Sequence, residues 1–279
     1  MLARGSVPWD LGKPMKMTAS ASTFSLPSIP GGAYIVAALI TALIIGAGTY
    51  LLPKGSTLAV FLFDHSDKSF FAPVYPFTIQ NAMYVMMAVG LADLWVRHAA
   101  TMREHRYIAR HLLPEKDTDI LQIDDLGAIR RKVAELNASE GAFLPQLLDL
   151  SILQLLTSRS LEQTVEIYTS MLELISHRLD LAYQTMRFLV WVIPTTGFIG
   201  TVVGISIALE GMQDPKNIEF EKVTSGLAVA FYTTIVALVL SAILVLLQNV
   251  VQRREEMALN RAAQYTLRNL INRVYLEHK

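Results

Sequence analysis

The chain has 279 residues, no net charge and no cysteine, and 52% of its residues are apolar. Its mean hydropathy of +0.38 is too high for a typical soluble domain and fits a protein that crosses a membrane several times. The lack of cysteine excludes disulfides, thiolate metal sites and cysteine nucleophiles. No HExxH, GxxxxGK[ST] or GxSxG motif occurs, so the enzyme classes that carry these motifs are not indicated.

Four apolar stretches are long enough to cross the hydrocarbon layer, which requires about 20 helical residues. They are Ala33–Leu52, Phe77–Val96, Phe188–Leu209 and Val223–Val251. Only the second contains a charged residue, Asp93, near its end. The first follows a polar leader, residues 1–32, which is predicted to be mobile. Because this stretch lacks a convincing cleavage site, we interpret it as a retained membrane helix and not as a signal peptide.

Lysine and arginine are concentrated in the segment between the second and third spans and in the tail. The two short loops, Pro53–Pro76 and Gly211–Lys222, hold only two lysines each. Positive residues favour the cytoplasmic side of a membrane. We therefore predict cytoplasmic N and C termini, a cytoplasmic helical domain over residues 97–187, and two loops that face outward.

This middle segment has helical patterns throughout. The second span is expected to continue as a basic helix as far as Leu113, and Asp124–Asn137 resembles a short helix capped by Asp124 or Asp125. From Leu144 to Tyr183, apolar residues recur every three or four positions. This spacing indicates one amphipathic helix, or two that are separated near Ser158–Ser160.

We expect this amphipathic region to run without a break into the third span, and the fourth span to continue as a C-terminal helix over residues 253–279. No strand pattern of any weight occurs. The predicted fold is therefore an all-α polytopic membrane protein with four transmembrane helices and long cytoplasmic helical extensions. The two last spans, residues 188–252, would form its core.

Small and hydroxylated residues recur every three or four positions on both of these spans. They are Gly197, Gly200, Thr201, Gly204 and Ala208 on the third, and Gly226, Ala230, Thr233 or Thr234, Ala237 and Ser241 on the fourth. Such faces let membrane helices pack closely, and their hydroxyls can also line a narrow path for a proton or a small cation. Pro194 removes one intrahelical hydrogen bond and can kink the helix and expose a carbonyl. From the pattern alone, a tightly packed helical oligomer is favoured.

Two motifs extend this interpretation. The stretch PTTGFIGTVVG, Pro194–Gly204, resembles the P-x-x-G-x-x-G-T-V-x-G signature of the MotA/TolQ/ExbB proton-channel family. The stretch SGLAVAFYTTIVAL, Ser225–Leu238, is similar to the A-L-x-A-T-A-x-G-L segment on the last span of that family. The resemblance covers about Val190–Leu247 and the overall topology.

The resemblance implies the ring-forming subunit of an ion-driven motor in the bacterial inner membrane, and not an enzyme. In this family a ring, usually of five chains, surrounds two copies of a single-span MotB-, ExbD- or TolR-like partner. The partner supplies the aspartate that carries the transported H⁺ or Na⁺, and no cofactor is implied. The absence of a carboxylate from both polar spans fits this division, because a buried acid in a membrane is costly.

By position, Thr201 and Thr234 match the two family threonines that face the partner's aspartate, and Pro194 matches a conformationally important proline. Thr196 and Thr233 are additional hydroxyls near the same level. The remaining small residues are assigned to helix packing: Gly197, Gly200, Gly204, Gly226, Ala230, Ala237 and Ser241.

The chain departs from the family pattern at three points. Val229 stands where many ExbB-like and TolQ-like members have a glutamate, and Ile243 stands near the position of a later proline. The additional pair of spans resembles the flagellar stator, whereas the motifs resemble ExbB and TolQ more. The subfamily, the choice between H⁺ and Na⁺, and the machine that is driven are therefore left open.

Two alternative functions are left open by the sequence. A non-conducting oligomeric scaffold is the first rival, and a secondary transporter is less favoured because the spans show no inverted repeat and hold no deep charge.

Asp93 is interpreted as the ion-pair partner of Arg97 and not as a proton relay. The arginines on the continuation of the second span are assigned to contact with anionic lipid, and no nucleic-acid site is predicted: Arg103, Arg106 and Arg110.

Overall fold

The computed structural model describes residues 31–65, 72–115, 121–140 and 142–275. These residues form eight α-helices, and no strand occurs among them, which confirms the all-α prediction. The helices are α1 Gly31–Leu51, α2 Thr57–Phe63, α3 Ile79–Ile108, α4 Ile123–Glu140, α5 Phe143–Ser158, α6 Leu161–Ala182, α7 Gln184–Glu210 and α8 Phe220–Asn269. The predicted mobile leader lies outside the described residues, except for Gly31 and Gly32 at the start of α1.

Four helical stretches are long and apolar enough to cross a membrane, as predicted: α1, α3, α6 together with α7, and α8. The last two spans pack along each other as an antiparallel pair, and α3 packs against both. Helix α1 contacts α3 and the short α2. Most of its apolar side chains are nevertheless exposed; Leu43, for example, is 72% exposed. The pair of α7 and α8 is therefore the centre of the fold.

Two predicted helix ends were wrong. Helix α3 ends at Ile108 and not at Leu113, because His111 adopts a left-handed conformation with φ 50° and the chain then turns towards α8. There the N–H of Leu113 donates to the hydroxyl of Tyr265 at 3.2 Å. Helix α8 ends at Asn269, and a 3₁₀ turn at Ile271–Arg273 follows, after which Val274 forms a single parallel β-bridge with Leu121.

Helix α4 begins one residue earlier than predicted, at Ile123. Asp124 and Asp125 therefore lie in its first turn and do not occupy the N-cap position. Carboxylates in a first turn are favourable because the N-terminal end of a helix carries partial positive charge. The separation near Ser158–Ser160 is confirmed, since α5 ends at Ser158 and the hydroxyl of Ser160 accepts the N–H of Gln163 to cap α6.

The expected continuous helix from α6 into α7 is interrupted at one residue, Tyr183, which has φ −88° and ψ 0°. Arg97 of α3 accounts for the interruption. Its Nη2 donates to the carbonyl of Ala182 at 2.7 Å, and its guanidinium lies 4.6 Å from the centre of the Tyr183 ring. The carbonyl that ends α6 thus bonds to a side chain from another helix.

Arg97 also belongs to a buried group of charges. Its Nε donates to Asp93 at 3.2 Å, which confirms the expected ion pair, and its Nη1 lies 3.8 Å from Glu255 of α8. The hydroxyl of Tyr183 donates to the same Glu255 carboxylate at 2.7 Å. Because a buried charge without a partner is costly, this group ties α3, α8 and the junction of α6 and α7 together.

A second buried carboxylate, Glu104, holds the start of α5. The residue that precedes this helix, Ala142, has no side chain able to cap it. The carboxylate of Glu104 accepts the N–H groups of Phe143 and Leu144 instead, and so satisfies two of the N–H groups that a helix start leaves free. Helix α5 is thereby fixed to α3.

Replacing Glu104 with Ala should leave these two buried N–H groups without an acceptor. We expect the free energy of unfolding to fall by about 1–3 kcal/mol, measured by denaturant titration in detergent micelles. Arg103→Ala, on the exposed face of the same helix, is the matched control and should change it little. Equal effects of the two substitutions would contradict the capping role of Glu104.

Candidate functional site

The backbones of α7 and α8 come into contact through glycine. A methyl group on Gly204 would lie 2.5 Å from the backbone nitrogen of Ala230 and 2.5 Å from the carbonyl oxygen of Gly226. A methyl group on Gly226 would lie 2.6 Å from the backbone of Ala208. These distances are shorter than van der Waals contact, so only glycine fits at both positions.

The same contact continues along the pair. Gly197 faces the methyl group of Ala237, and Gly200 faces the side chain of Thr233. All the small residues assigned to packing therefore lie between two helices of one chain. A face that is covered within the chain is not free to pack against a second copy.

Thr201 and Thr234 lie opposite each other across the helix pair, and their hydroxyls are hydrogen-bonded. The Thr234 hydroxyl also donates to the carbonyl of Ala230 at 3.0 Å, and the carbonyl of Gly197 lies 3.3 Å from both hydroxyls. The result is a cluster of four oxygen atoms, which we name the threonine cluster: the hydroxyls of Thr201 and Thr234 and the carbonyls of Gly197 and Ala230.

The threonine cluster has more acceptor capacity than it has protons. Two hydroxyls supply two protons, whereas four oxygen atoms offer lone pairs. Both threonine side chains are only partly buried, so the cluster lies at an edge of the helix pair. A group on another helix could reach it there, either to donate a proton to these oxygens or to accept a hydrogen bond from a hydroxyl.

The two additional hydroxyls do not bond to the hydroxyls of Thr201 or Thr234. Thr233 is 2% exposed, and its hydroxyl donates to the carbonyl of Val229, 2.7 Å away on the same helix. Thr196 donates to the carbonyl of Val192 at 2.8 Å. The Thr233 hydroxyl also lies 3.3 Å from the carbonyl of Ala230, so it touches the buried side of the cluster, whereas Thr196 lies apart from it.

Pro194 lies inside α7, which continues past it as one helix. Because proline has no N–H, the carbonyl four residues earlier, that of Val190, loses its usual donor. The hydroxyl of Ser241 on α8 donates to this carbonyl at 3.0 Å. The sequence assigned Ser241 to packing alone; its hydrogen bond to the carbonyl that Pro194 leaves free was missed.

The buried charges near the ends of the spans were also only partly foreseen. Asp93 and Arg97 were singled out, whereas Glu255 was not. A periodic signal was present, because Glu255 lies three and four residues before Ala258 and Leu259, both of which are buried. That spacing places a carboxylate on the apolar face of α8.

Comparison with known proteins gives one match. Residues 136–264 match the MotA/TolQ/ExbB proton channel family, and this range covers α5, α6, α7 and most of α8. No curated protein and no solved structure matches the chain. The match extends beyond both sides of the two motifs that resemble this family, and it confirms the recognition based on them.

The hydrogen bond from Ser241 to the freed carbonyl predicts a double-mutant cycle. Ser241→Ala should lower the free energy of unfolding by about 1–2 kcal/mol, because the carbonyl of Val190 loses its donor. In a Pro194→Ala background the N–H of residue 194 can supply that donor, so the same Ser241→Ala change should cost less. Unfolding of the four proteins in mixed micelles measures the coupling, and strict additivity would contradict the assignment.

The glycine contact predicts a second stability effect. Gly204→Ala places a methyl group against facing backbone and should destabilise the chain by about 1–3 kcal/mol. Gly46→Ala, in α1, is the matched control, since nothing lies within 4 Å of the added methyl group. Alanine favours helix over glycine by about 1 kcal/mol, so the control should be neutral or stabilising when both are compared by the same unfolding titration.

Proposed function

Because residues 136–264 form a domain of the MotA/TolQ/ExbB proton channel family, we propose that this membrane protein is the ring-forming subunit of an ion-driven motor. Several copies, usually five in this family, would surround a single-span partner of the MotB, ExbD or TolR kind. The ring would lie in the bacterial inner membrane with both termini in the cytoplasm. Ion flow would be converted into movement of the ring relative to the partner.

The observation that carries this proposal is the threonine cluster. It provides exchangeable hydrogen bonds within two spans that contain no carboxylate of their own. Around it, the outward surfaces of α7 and α8 are apolar; Val202, for example, is 69% exposed and Phe231 is 62% exposed. A partner helix that packs here would place its aspartate in an apolar layer where the cluster supplies the polar contacts.

The chemistry of the proposed step follows from the cost of burying charge. An ionised aspartate in an apolar layer is unfavourable unless it accepts hydrogen bonds, whereas a protonated one is neutral. Rotation of the hydroxyls of Thr201 and Thr234 away from their backbone carbonyls would let them donate to the ionised form. Binding and release of the ion would therefore change how strongly the partner aspartate favours this position.

Pro194 has a separate part in this proposal. The carbonyl of Val190 is bonded to Ser241 and not to an N–H of its own helix. An interhelical bond to a hydroxyl can be exchanged more readily than an intrahelical one because the hydroxyl rotates. We infer that α7 adjusts at this point when the partner moves.

The rival reading, a non-conducting scaffold, relied on small faces for packing between copies. Those faces are covered within the chain by the contact between α7 and α8. The threonine cluster is not covered in this way, because Thr201 and Thr234 are partly exposed, and its accessibility to a partner helix favours the motor over the scaffold.

Thr234→Val is the variant that tests the proposed function. Valine keeps the shape of threonine and removes the hydroxyl, so the complex should assemble as before. Loss of a hydrogen bond to a charged group corresponds to roughly 10- to 100-fold in rate, and we expect ion flux to fall by that factor. Flux is measured in proteoliposomes that contain the chain and its single-span partner, under a proton gradient and, separately, a sodium gradient.

Thr195→Val is the matched control, because Thr195 donates only to the carbonyl of Trp191 at 2.9 Å on its own helix. It should leave the flux unchanged. Unchanged flux in Thr234→Val as well, with normal assembly, would refute the ion path and favour the scaffold. The gradient that drives flux in the unsubstituted complex identifies the ion.

A further inference from the structure

A basic groove lies between the extensions of α3 and α8 beyond the spans. It consists of two adjoining cavities of about 270 and 740 Å³ that share His105 and Arg261. Three arginines of α8 line it at intervals of seven residues: Arg254, Arg261 and Arg268. Seven residues are two helical turns, so the arginines form one stripe with a spacing of about 10 Å.

An acidic stripe with the same spacing runs along α6. It consists of Glu166, Glu173 and Asp180, all of which are exposed. The buried side of this helix is formed by Thr164, Tyr168, Ile175 and Leu179, and the helical period places the three acids on the opposite side. The acidic stripe therefore faces away from its own chain.

The two stripes lie at matching heights. Helices α6 and α8 run in opposite directions. Two tyrosines, one in α6 and one between α6 and α7, fix their relative position. Tyr168 donates to the carbonyl of Ala263 at 2.8 Å, and Tyr183 donates to Glu255 at 2.7 Å. Counting along both helices at about 1.5 Å per residue, the acidic residues lie within about one turn of the arginines: Asp180 with Arg254, Glu173 with Arg261, and Glu166 with Arg268.

Not every charge of the two stripes is paired within the described part of the chain. Among the described residues, Glu173 and Arg261 take part in no ion pair, whereas Asp180 already pairs with Arg187 of its own chain. Within the groove itself, His111 contacts Glu115 at 2.7 Å. The central residues of the two stripes, Glu173 and Arg261, are thus the ones available for a partner.

We propose that the acidic stripe of one copy binds the basic groove of the next copy around the ring. Cyclic symmetry keeps every copy at the same height, so stripes that match in height within a chain also match between neighbouring copies. Each copy presents one stripe of each sign, and the contact repeats until the ring closes. This interface rests on the proposed function, because it requires a ring.

Cross-linking tests this interface directly, since the chain contains no cysteine. Chains with Glu173→Cys and chains with Arg261→Cys, each with its own tag, are produced together and treated with a short bis-maleimide. A flexible linker is used because a Glu–Arg pair holds its Cα atoms farther apart than a disulfide allows. We expect a covalent dimer that carries both tags, and since each chain has one cysteine, no link within a chain can mimic it.

Glu166→Cys with Arg254→Cys is the out-of-register control. These positions differ in height by about 14 residues, or roughly 20 Å, so they should give no dimer. Equal yields from both combinations would overturn the proposed register.

Charge reversal provides a second, independent measurement. Glu173→Arg and Arg261→Glu should each lower the ring-to-monomer ratio about tenfold in native mass spectrometry, and the two together in one chain should restore it. The effect should weaken at high salt, which screens exposed pairs.

An intact ring that neither cross-links in register nor responds to charge reversal would overturn this interface and leave the motor function standing. If the arginine substitution instead abolished binding to vesicles of phosphatidylglycerol in such a ring, the groove would be a lipid site. If the unsubstituted chain formed no ring at all, the proposed function would fail together with the interface.

Discussion

The close contact between the backbones of α7 and α8 determines the positions of the other groups at the site. It exists because Gly204 and Gly226 leave no side chain between the helices. Once this contact is made, the register of the pair is set, and Thr201 faces Thr234 while Ser241 faces the carbonyl of Val190. A shift of one residue would rotate each group by about 100° around its helix. The glycines therefore set the geometry of the threonine cluster, although they carry no polar group themselves.

The same antiparallel register continues past the spans through charged contacts. Tyr183 and Arg97 both approach Glu255, so α3, α8 and the junction of α6 and α7 share one buried group of charges. Helix α8 runs unbroken from Phe220 to Asn269, about 75 Å at 1.5 Å per residue. Under the proposed function, this single helix would link the threonine cluster to the basic groove. Helices α6 and α7, in contrast, are interrupted at Tyr183.

Much of the fold could be predicted from local patterns. Apolar length located the four spans, and the polar residues at Ser158–Ser160 located the end of α5. Local patterns did not reveal contacts between distant residues. Nothing near Glu104 in the chain indicates that it caps a helix that begins at Phe143. The interruption between α6 and α7 at Tyr183 likewise depends on Arg97, which lies on another helix. The threonine pair was found because the family motif states which two positions face each other. The hydrogen bond from Ser241 to Val190 was missed because it depends on Pro194 in a different helix.

The most direct test of the motor function is native mass spectrometry of this chain, purified alone and together with a single-span protein of the kind proposed as its partner. We expect a complex of several copies of the chain with two copies of that protein, most simply five with two, and we expect the single-span protein to be lost from the complex when its membrane helix is removed. A monomer, or a ring that takes up no single-span partner, would contradict the motor function and would leave the threonines as packing residues between α7 and α8.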